Sequence, residues 1–306
     1  MSLTLPKLVR LAIWARQQKR KKFPTHGNYD ITSRCTYRCE HCYFYKSYPE
    51  DRAQKDLTDK QWCQKFTDDF KNGIRYAYLT GGEPALRPKV IKLADAIFNM
   101  VVIFSNGTVK IDPQIRRSIF VSLDGPRQIH AQIRGADAWD KVMANTKDDK
   151  RVLFTCTLST TNDQAIEEVY QIAKRQNVCG VMFGFYTSDK KDFRSDPLYL
   201  SGERRKKALA KLAELIKRDP RYVFVTPKML KVYRDQRHKN RCSFHLKNGS
   251  ALSYYPDGRR KSQCVVGEEA NCDCCGCPQP VAVYAAGQLD WRALSLAEKF
   301  LRVQLP

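Results

Sequence analysis

The sequence predicts an α/β fold, in which a partial (β/α)6 barrel is followed by a small, metal-organised C-terminal appendage. From residue 29 onward, short apolar runs rich in β-branched and aromatic residues alternate with stretches of helical periodicity. This alternation favours a parallel sheet with right-handed crossovers. After about Pro227 the alternation ends, and half of the twelve cysteines follow. This change of pattern predicts the appendage.

Six strands are predicted from the apolar runs. They are Tyr29 to Thr32, Ile74 to Leu79, Val101 to Phe104, Ile119 to Leu123, Val152 to Leu158 and Val178 to Tyr186. The best-marked helix runs from Leu57 to Asn72, because Thr58 and Gln61 form a capping box and Gly73 ends the apolar face. Active sites in such barrels lie at the C-terminal ends of the strands.

We expect three regions: a basic amphipathic N-terminal helix (1–28), the barrel core (29–226) and a cysteine-rich domain (227–306). The N-terminal helix could lie on an anionic membrane surface, or it could pack on the barrel with its charges in water. The cysteine-rich region contains a hairpin-like segment that turns at residues 256–258, and a last helix near residues 289–302.

The composition is that of a folded protein, with 42% hydrophobic residues. Lys and Arg outnumber Asp and Glu by 54 to 32, and the net charge of +22 favours anionic partners, although it is also compatible with a general solubility role. No export signal precedes the cysteines, so we expect a reducing, cytoplasmic location, with peripheral membrane binding as an option. Apolar stretches are too short to span a bilayer.

Three cysteines, Cys35, Cys39 and Cys42, directly follow the first predicted strand. Thiolates hold iron-sulfur clusters, and three of them leave one iron of a 4Fe-4S cube open. His41 is a poor fourth ligand because it adjoins Cys42. Zinc would need a further ligand from elsewhere in the chain, which is less economical.

This cysteine spacing resembles that of the radical S-adenosylmethionine (SAM) superfamily, and motifs at the ends of the next three strands continue the resemblance. Thr80-Gly-Gly-Glu83-Pro resembles the motif that receives the SAM amino group, and Arg134 lies in a stretch where an arginine pairs with the SAM carboxylate. The resemblance implies SAM contacts for Gly81, Gly82, Glu83, Ser105, Asn106, Ser122, Asp124 and Arg134.

The later cysteines resemble the opening of a SPASM or twitch domain, which implies an auxiliary 4Fe-4S cluster. The expected ligands are Cys242, Cys264, Cys272 and Cys275. Cys274 and Cys277 have the same two-residue gap as Cys272 and Cys275, so the register stays open. A structural zinc site would satisfy the same spacings.

The resemblance implies that the first cluster, bound to Cys35, Cys39 and Cys42 as the catalytic residues, cleaves SAM reductively. The 5′-deoxyadenosyl radical then abstracts hydrogen from a substrate, in an oxidoreductase or a carbon-bond-forming transferase. A flavodoxin or ferredoxin would supply the electron. The substrate could be a lipid or isoprenoid, a peptide or RNA, and the short segment before the barrel leads us to expect no leader-peptide-binding domain. The alternative is a non-catalytic iron-sulfur or zinc protein that binds nucleic acid through its basic surface.

Overall fold

Seven parallel strands form one sheet within the described residues of the computed structural model, which are 24–48, 55–236, 242, 251–262, 264–267 and 271–301. The sheet order is β6-β5-β4-β3-β2-β1-β7. The strands are β1 (His26–Asp30), β2 (Tyr76–Thr80), β3 (Met100–Ser105), β4 (Ser118–Ser122), β5 (Val152–Leu158), β6 (Gly180–Phe185) and β7 (Ala251–Tyr254). Because all neighbours run parallel, the C-terminal ends of the strands lie at one edge of the sheet.

Helices connect the strands and continue after β6. They are α1 (Tyr43–Ser47), α2 (Asp59–Lys71), α3 (Pro88–Ile97), α4 (Arg127–Arg134), α5 (Trp139–Thr146), α6 (Ile166–Gln176), α7 (Gly202–Arg218), α8 (Pro227–Asp235), α9 (Pro278–Ala286) and α10 (Trp291–Leu301). The predicted partial α/β barrel is therefore confirmed, and α10 is the predicted last helix.

Helix α2 shows how local sequence determines an element and its orientation. The Gln61 backbone N–H donates to Thr58 Oγ1 at 3.3 Å, and the Thr58 N–H donates to Gln61 Oε1 at 2.8 Å, so the predicted capping box is present. Trp62 and Phe66 lie on the buried face and contact the ring of Tyr29 in β1. Such aromatic pairs contribute about 1 kcal/mol each beyond the area they bury.

All six predicted strands are present, and a seventh strand that the sequence analysis did not identify pairs in parallel with β1. Tyr29 lies opposite Tyr254 in this pair, and the two rings stack. The hairpin-like segment that follows is present: the Tyr255 N–H donates to Arg259 O and the Lys261 N–H donates to Ser253 O, both at 2.8 Å. A four-residue strand that joins a distant partner carries too little periodicity to be found in the sequence.

The C-terminal segment contacts both ends of the sheet. At the β6 end, the Phe185 N–H donates to Gly276 O at 2.9 Å, and a Cβ atom on Gly276 would lie 2.1 Å from Phe185 O. At the β1 end, β7 extends the sheet. The residues after 227 therefore contact both β1 and β6, the first and last predicted strands, while a domain boundary near residue 227 stays a prediction.

The predicted N-terminal helix lies outside the described residues, which begin at residue 24. In the part of the chain that the structure describes, no helix is both long and apolar enough to cross a membrane.

Candidate functional site

A cavity of about 300 Å³ lies at the C-terminal ends of strands β1 to β6. Most of the residues predicted to form the site line this cavity, and they come from the ends of four successive strands and the segments that follow them. These residues are Cys35, Cys39, Cys42, Gly81, Gly82, Ser105, Asn106, Ser122 and Arg134. Two predicted residues, Glu83 and Asp124, are completely buried behind the cavity wall.

The cysteine loop after β1 packs directly against the glycine pair after β2. The Gly82 N–H donates to Thr32 O and the Glu83 N–H donates to Arg34 O, both at 2.8 Å. A Cβ atom on Gly82 would lie 2.1 Å from Arg34 O, and Gly81 has a φ of +114°. Glycine is therefore needed here so that the two backbones can approach each other.

Glu83 supports the segment that follows β3. Its Oε1 accepts hydrogen bonds from Ser105 Oγ at 2.8 Å and from the Ala85 N–H at 2.9 Å, while Oε2 accepts from the Asn106 N–H at 2.7 Å. Burial raises the pKa of the Glu83 carboxyl, and these donors oppose that rise. Glu83 thus stabilises the Ser105–Asn106 turn from its buried side.

Asn106 connects this turn to the cysteine loop. Its Nδ2 donates to Thr36 Oγ1 at 2.9 Å and lies 3.6 Å from Cys35 Sγ. Burial raises the pKa of Cys35 to about 11 and lowers the pKa of His41, another cavity residue, to about 4. Because metal ligation requires the thiolate, metal binding at Cys35 would release a proton.

A buried ion pair supports the other side of the loop. Arg134 Nε donates to Asp124 Oδ2 at 2.6 Å, and Arg134 Nη1 lies 3.5 Å from Cys39 Sγ. Burial opposes ionisation of Asp124, but the guanidinium outweighs it and holds the pKa of this carboxyl below its usual range. Arg134 therefore contacts both a carboxylate and a candidate cluster thiol.

The donors on the cavity wall suit an iron-sulfur cluster. Among the described residues, no group of three or more His, Cys, Asp and Glu side chains is arranged around a single metal ion. A zinc ion would need its thiolates at about 2.3 Å from one point, whereas each thiolate of a cube binds a different iron atom. Cys35, Cys39 and Cys42 lie on one cavity wall and supply the three thiols that such a cube needs.

The later cysteines form a second group beside the barrel. Burial, together with the thiolates of Cys242, Cys264 and Cys272, raises the pKa of Cys275 to about 12. Cys274 is buried, and its Sγ lies 3.3 Å from Asn271 O and 3.7 Å from Ser188 O. Cys275 therefore lies near the other three cysteines selected from the sequence. Burial, together with Cys275, Cys242 and Cys264, likewise raises the pKa of Cys277, so Cys277 belongs to the same group, while Cys274 contacts backbone carbonyls.

Several cavity residues were missed in the sequence because no motif marks them. Cys277, which was considered only as an alternative cluster ligand, lines this cavity, as do Tyr43, Tyr186, Val265, Val266 and Gln279. Tyr186 directly follows β6, and its hydroxyl accepts from Lys46 Nζ at 2.9 Å and donates to Asp196 Oδ2 at 3.1 Å. Only the position of Tyr186 at a strand end could have indicated its place.

Comparisons with known proteins agree with this arrangement. The sporulation killing factor maturation protein SkfB of Bacillus subtilis is 26% identical over 165 residues, covering 48% of this chain and 39% of SkfB. A GTP 3′,8-cyclase of Haemophilus influenzae is 25% identical over 193 residues, covering 56% of this chain and 57% of the cyclase. The chain thus spans well under two thirds of either relative.

The fold is also found in a solved structure. Streptococcus suis SuiB bound to its precursor peptide SuiA superposes with a TM-score of 0.59 at 12% identity, covering 88% of this chain and 69% of SuiB. Finally, the model of the radical SAM superfamily matches residues 29–237, which include the cysteine loop and every strand-end motif around the cavity. The chain therefore belongs to the radical SAM superfamily.

Proposed function

We propose that this protein is an enzyme that binds a 4Fe-4S cluster through Cys35, Cys39 and Cys42 and cleaves SAM reductively. When bound, the cluster would pass one electron from a flavodoxin or ferredoxin to the SAM sulfonium, giving methionine and the 5′-deoxyadenosyl radical that abstracts hydrogen from a substrate. Family membership favours this enzyme over the non-catalytic nucleic-acid-binding alternative.

One observation carries the proposal: the three loop cysteines and the strand-end residues line the same cavity. One wall of the cavity consists of backbone and small polar groups, which suit a zwitterionic ligand with a ribose. The residues of this wall are Gly81, Gly82, Ser105, Asn106 and Ser122. Glu83 would act on SAM through the turn that it holds.

We further propose one auxiliary cluster on Cys242, Cys264, Cys272 and Cys275. Beyond the effect of burial, Cys242, Cys264 and Cys272 all lie near enough to Cys275 to raise its pKa, which supports the set, and the backbone contacts of Cys274 Sγ disfavour Cys274 as a ligand. Cys277 also lies near Cys242, Cys264 and Cys275, so it is the alternative to Cys272. A zinc ion on the same thiols is the alternative, and it would give about four irons and one zinc per chain in place of two cubes. The auxiliary cluster would lie close to the cavity, since Cys277 lines the cavity wall two residues after Cys275.

For the substrate we propose a peptide. SkfB is a maturation protein and SuiB binds a precursor peptide. The cavity wall also offers apolar contacts from Val265 and Val266 and an amide from Gln279, a mixture that suits a peptide side chain and its backbone. The net charge of +22 would favour an acidic segment in that peptide.

SAM cleavage tests the proposal directly. The protein, reconstituted anaerobically with iron and sulfide and reduced with dithionite, should release 5′-deoxyadenosine from SAM, and a variant with Ala at Cys35, Cys39 and Cys42 should not. No release by a fully reconstituted wild-type protein would refute the enzyme. Peptides encoded by genes adjacent to its own should then raise the rate, and stimulation by GTP in their place would refute the peptide assignment.

A further inference from the structure

The C-terminal end of α4 carries the cysteine loop. Ile133 O accepts a hydrogen bond from the Glu40 N–H at 2.9 Å, and Arg134 O accepts from the Arg38 N–H at 3.2 Å. Gly135 ends the helix with a φ of +74°, and a Cβ atom there would lie 2.7 Å from Arg38 O. The helix end thus positions the loop through its backbone.

The Arg134 side chain adds a contact to one thiol of this loop. The side chain is 9% exposed, and its guanidinium uses Nε and Nη2 on Asp124 Oδ2, both at 2.6 Å. Nη1 faces Cys39 Sγ at 3.5 Å, which is within hydrogen-bond distance for sulfur. Asp124 is fully buried, so it fixes the guanidinium in an environment where charges interact strongly.

We propose that Arg134, held by Asp124, is a positioning residue for the Cys39 thiolate and raises the reduction potential of the cluster that this thiolate would hold. The inference rests on the proposed function, because it requires a cluster on Cys39. A fixed cation that donates to a cluster thiolate stabilises the reduced state, which carries one more negative charge. This role is additional to the SAM-carboxylate contact that the sequence motif implies for Arg134.

The effect should be visible without SAM or substrate. In the reconstituted holoprotein, Arg134→Gln removes the cation, and we expect the equilibrium of the cluster to move about tenfold toward the oxidised state, which corresponds to a potential lower by about 59 mV for one electron. The measurement is a redox titration followed by electron paramagnetic resonance. The electron paramagnetic resonance signal that changes when SAM is added to the wild type identifies the cluster on Cys35, Cys39 and Cys42.

Arg127→Gln is the matched control. Arg127 begins the same helix, is 53% exposed and pairs with Asp137 and Asp140 at the surface. Its replacement should leave the potential unchanged. An equal shift in both variants would refute a specific effect of Arg134 and indicate a general effect of net charge.

Arg134→Lys provides a second test, because it keeps the charge but cannot contact Asp124 and Cys39 with one rigid fork. We expect normal iron content and a smaller decrease in potential. Wild-type potential in both Arg134 variants, together with weaker SAM binding, would overturn the inference and leave Arg134 as a SAM ligand. Loss of iron from both variants with an intact fold would overturn it in favour of a purely structural role. If the wild type itself binds no cluster, the proposed function fails instead.

Discussion

Replacing Lys261 by Met should strongly destabilise the protein. Lys261 lies on the second arm of the hairpin that β7 begins, and its ammonium lies 2.7 Å from Asp30 Oδ2 at the end of β1, with both side chains fully buried. No other described donor serves Asp30 Oδ2, so the Lys261 ammonium neutralises this carboxylate, whose Oδ1 accepts a hydrogen bond from Thr80 Oγ1 at 2.7 Å. Lys261 Nζ also donates to Val265 O at 2.7 Å, next to the cavity wall.

The magnitude follows from the burial of both charges. Breaking a buried pair by removing one partner costs about 3–5 kcal/mol, because the other charge stays buried without compensation. The lost hydrogen bond to Val265 adds about 1 kcal/mol. We therefore expect the free energy of unfolding of Lys261→Met to fall by about 4 kcal/mol or more, measured by urea unfolding at matched cluster content.

Two further variants decide whether this reasoning is correct. Arg218→Met breaks the Arg218–Glu167 pair, whose side chains are 52% and 51% exposed, and should cost less than about 1 kcal/mol. Adding Asp30→Asn to Lys261→Met removes the uncompensated charge and should recover part of the loss. The argument would be refuted if Lys261→Met lost no more unfolding free energy than Arg218→Met does. It would also be refuted if the double variant were less stable than Lys261→Met alone.

Three other predictions concern the cofactors and the N-terminus. Reconstituted protein should hold about eight irons, as two cubes require, and Ala at Cys35, Cys39 and Cys42 should remove about half of them. About four irons with one zinc would contradict the auxiliary cluster. Glu83→Ala should leave three buried donors unpaired, reduce stability by about 3 kcal/mol and strongly weaken 5′-deoxyadenosine release, while iron content stays normal. Deleting residues 1–22 should weaken sedimentation with anionic vesicles in a salt-dependent way, and equal binding by both forms would exclude a membrane role.

Much of the fold could be predicted because its signals are local. The capping box at Thr58 and Gln61 starts α2 as expected, and β5 runs from Val152 to Leu158 exactly where its apolar run lies. The ends of the strands were predicted less accurately, since β1 begins at His26, three residues before its predicted start. Hydrophobic periodicity reports which face is buried, whereas the ends depend on pairing with neighbouring strands.

The candidate site was predicted in outline because its motifs follow successive strands, and parallel strands bring their C-terminal ends together. Sequence could not show that Glu83 faces the Ser105–Asn106 turn from inside the protein, or that Cys277 lines the cavity. These facts depend on side-chain direction and on how the C-terminal segment packs.

Spacing along the chain was enough to place the cysteines and glycines at strand ends, since both the motifs and the strands are short-range patterns. Tertiary packing decided which distant groups meet: β7 beside β1, Lys261 on Asp30, and Arg134 between Asp124 and Cys39. The physical reason is that a buried charge needs a partner, but the sequence contains many candidates of opposite sign. Only the folded chain brings one of them within hydrogen-bond distance.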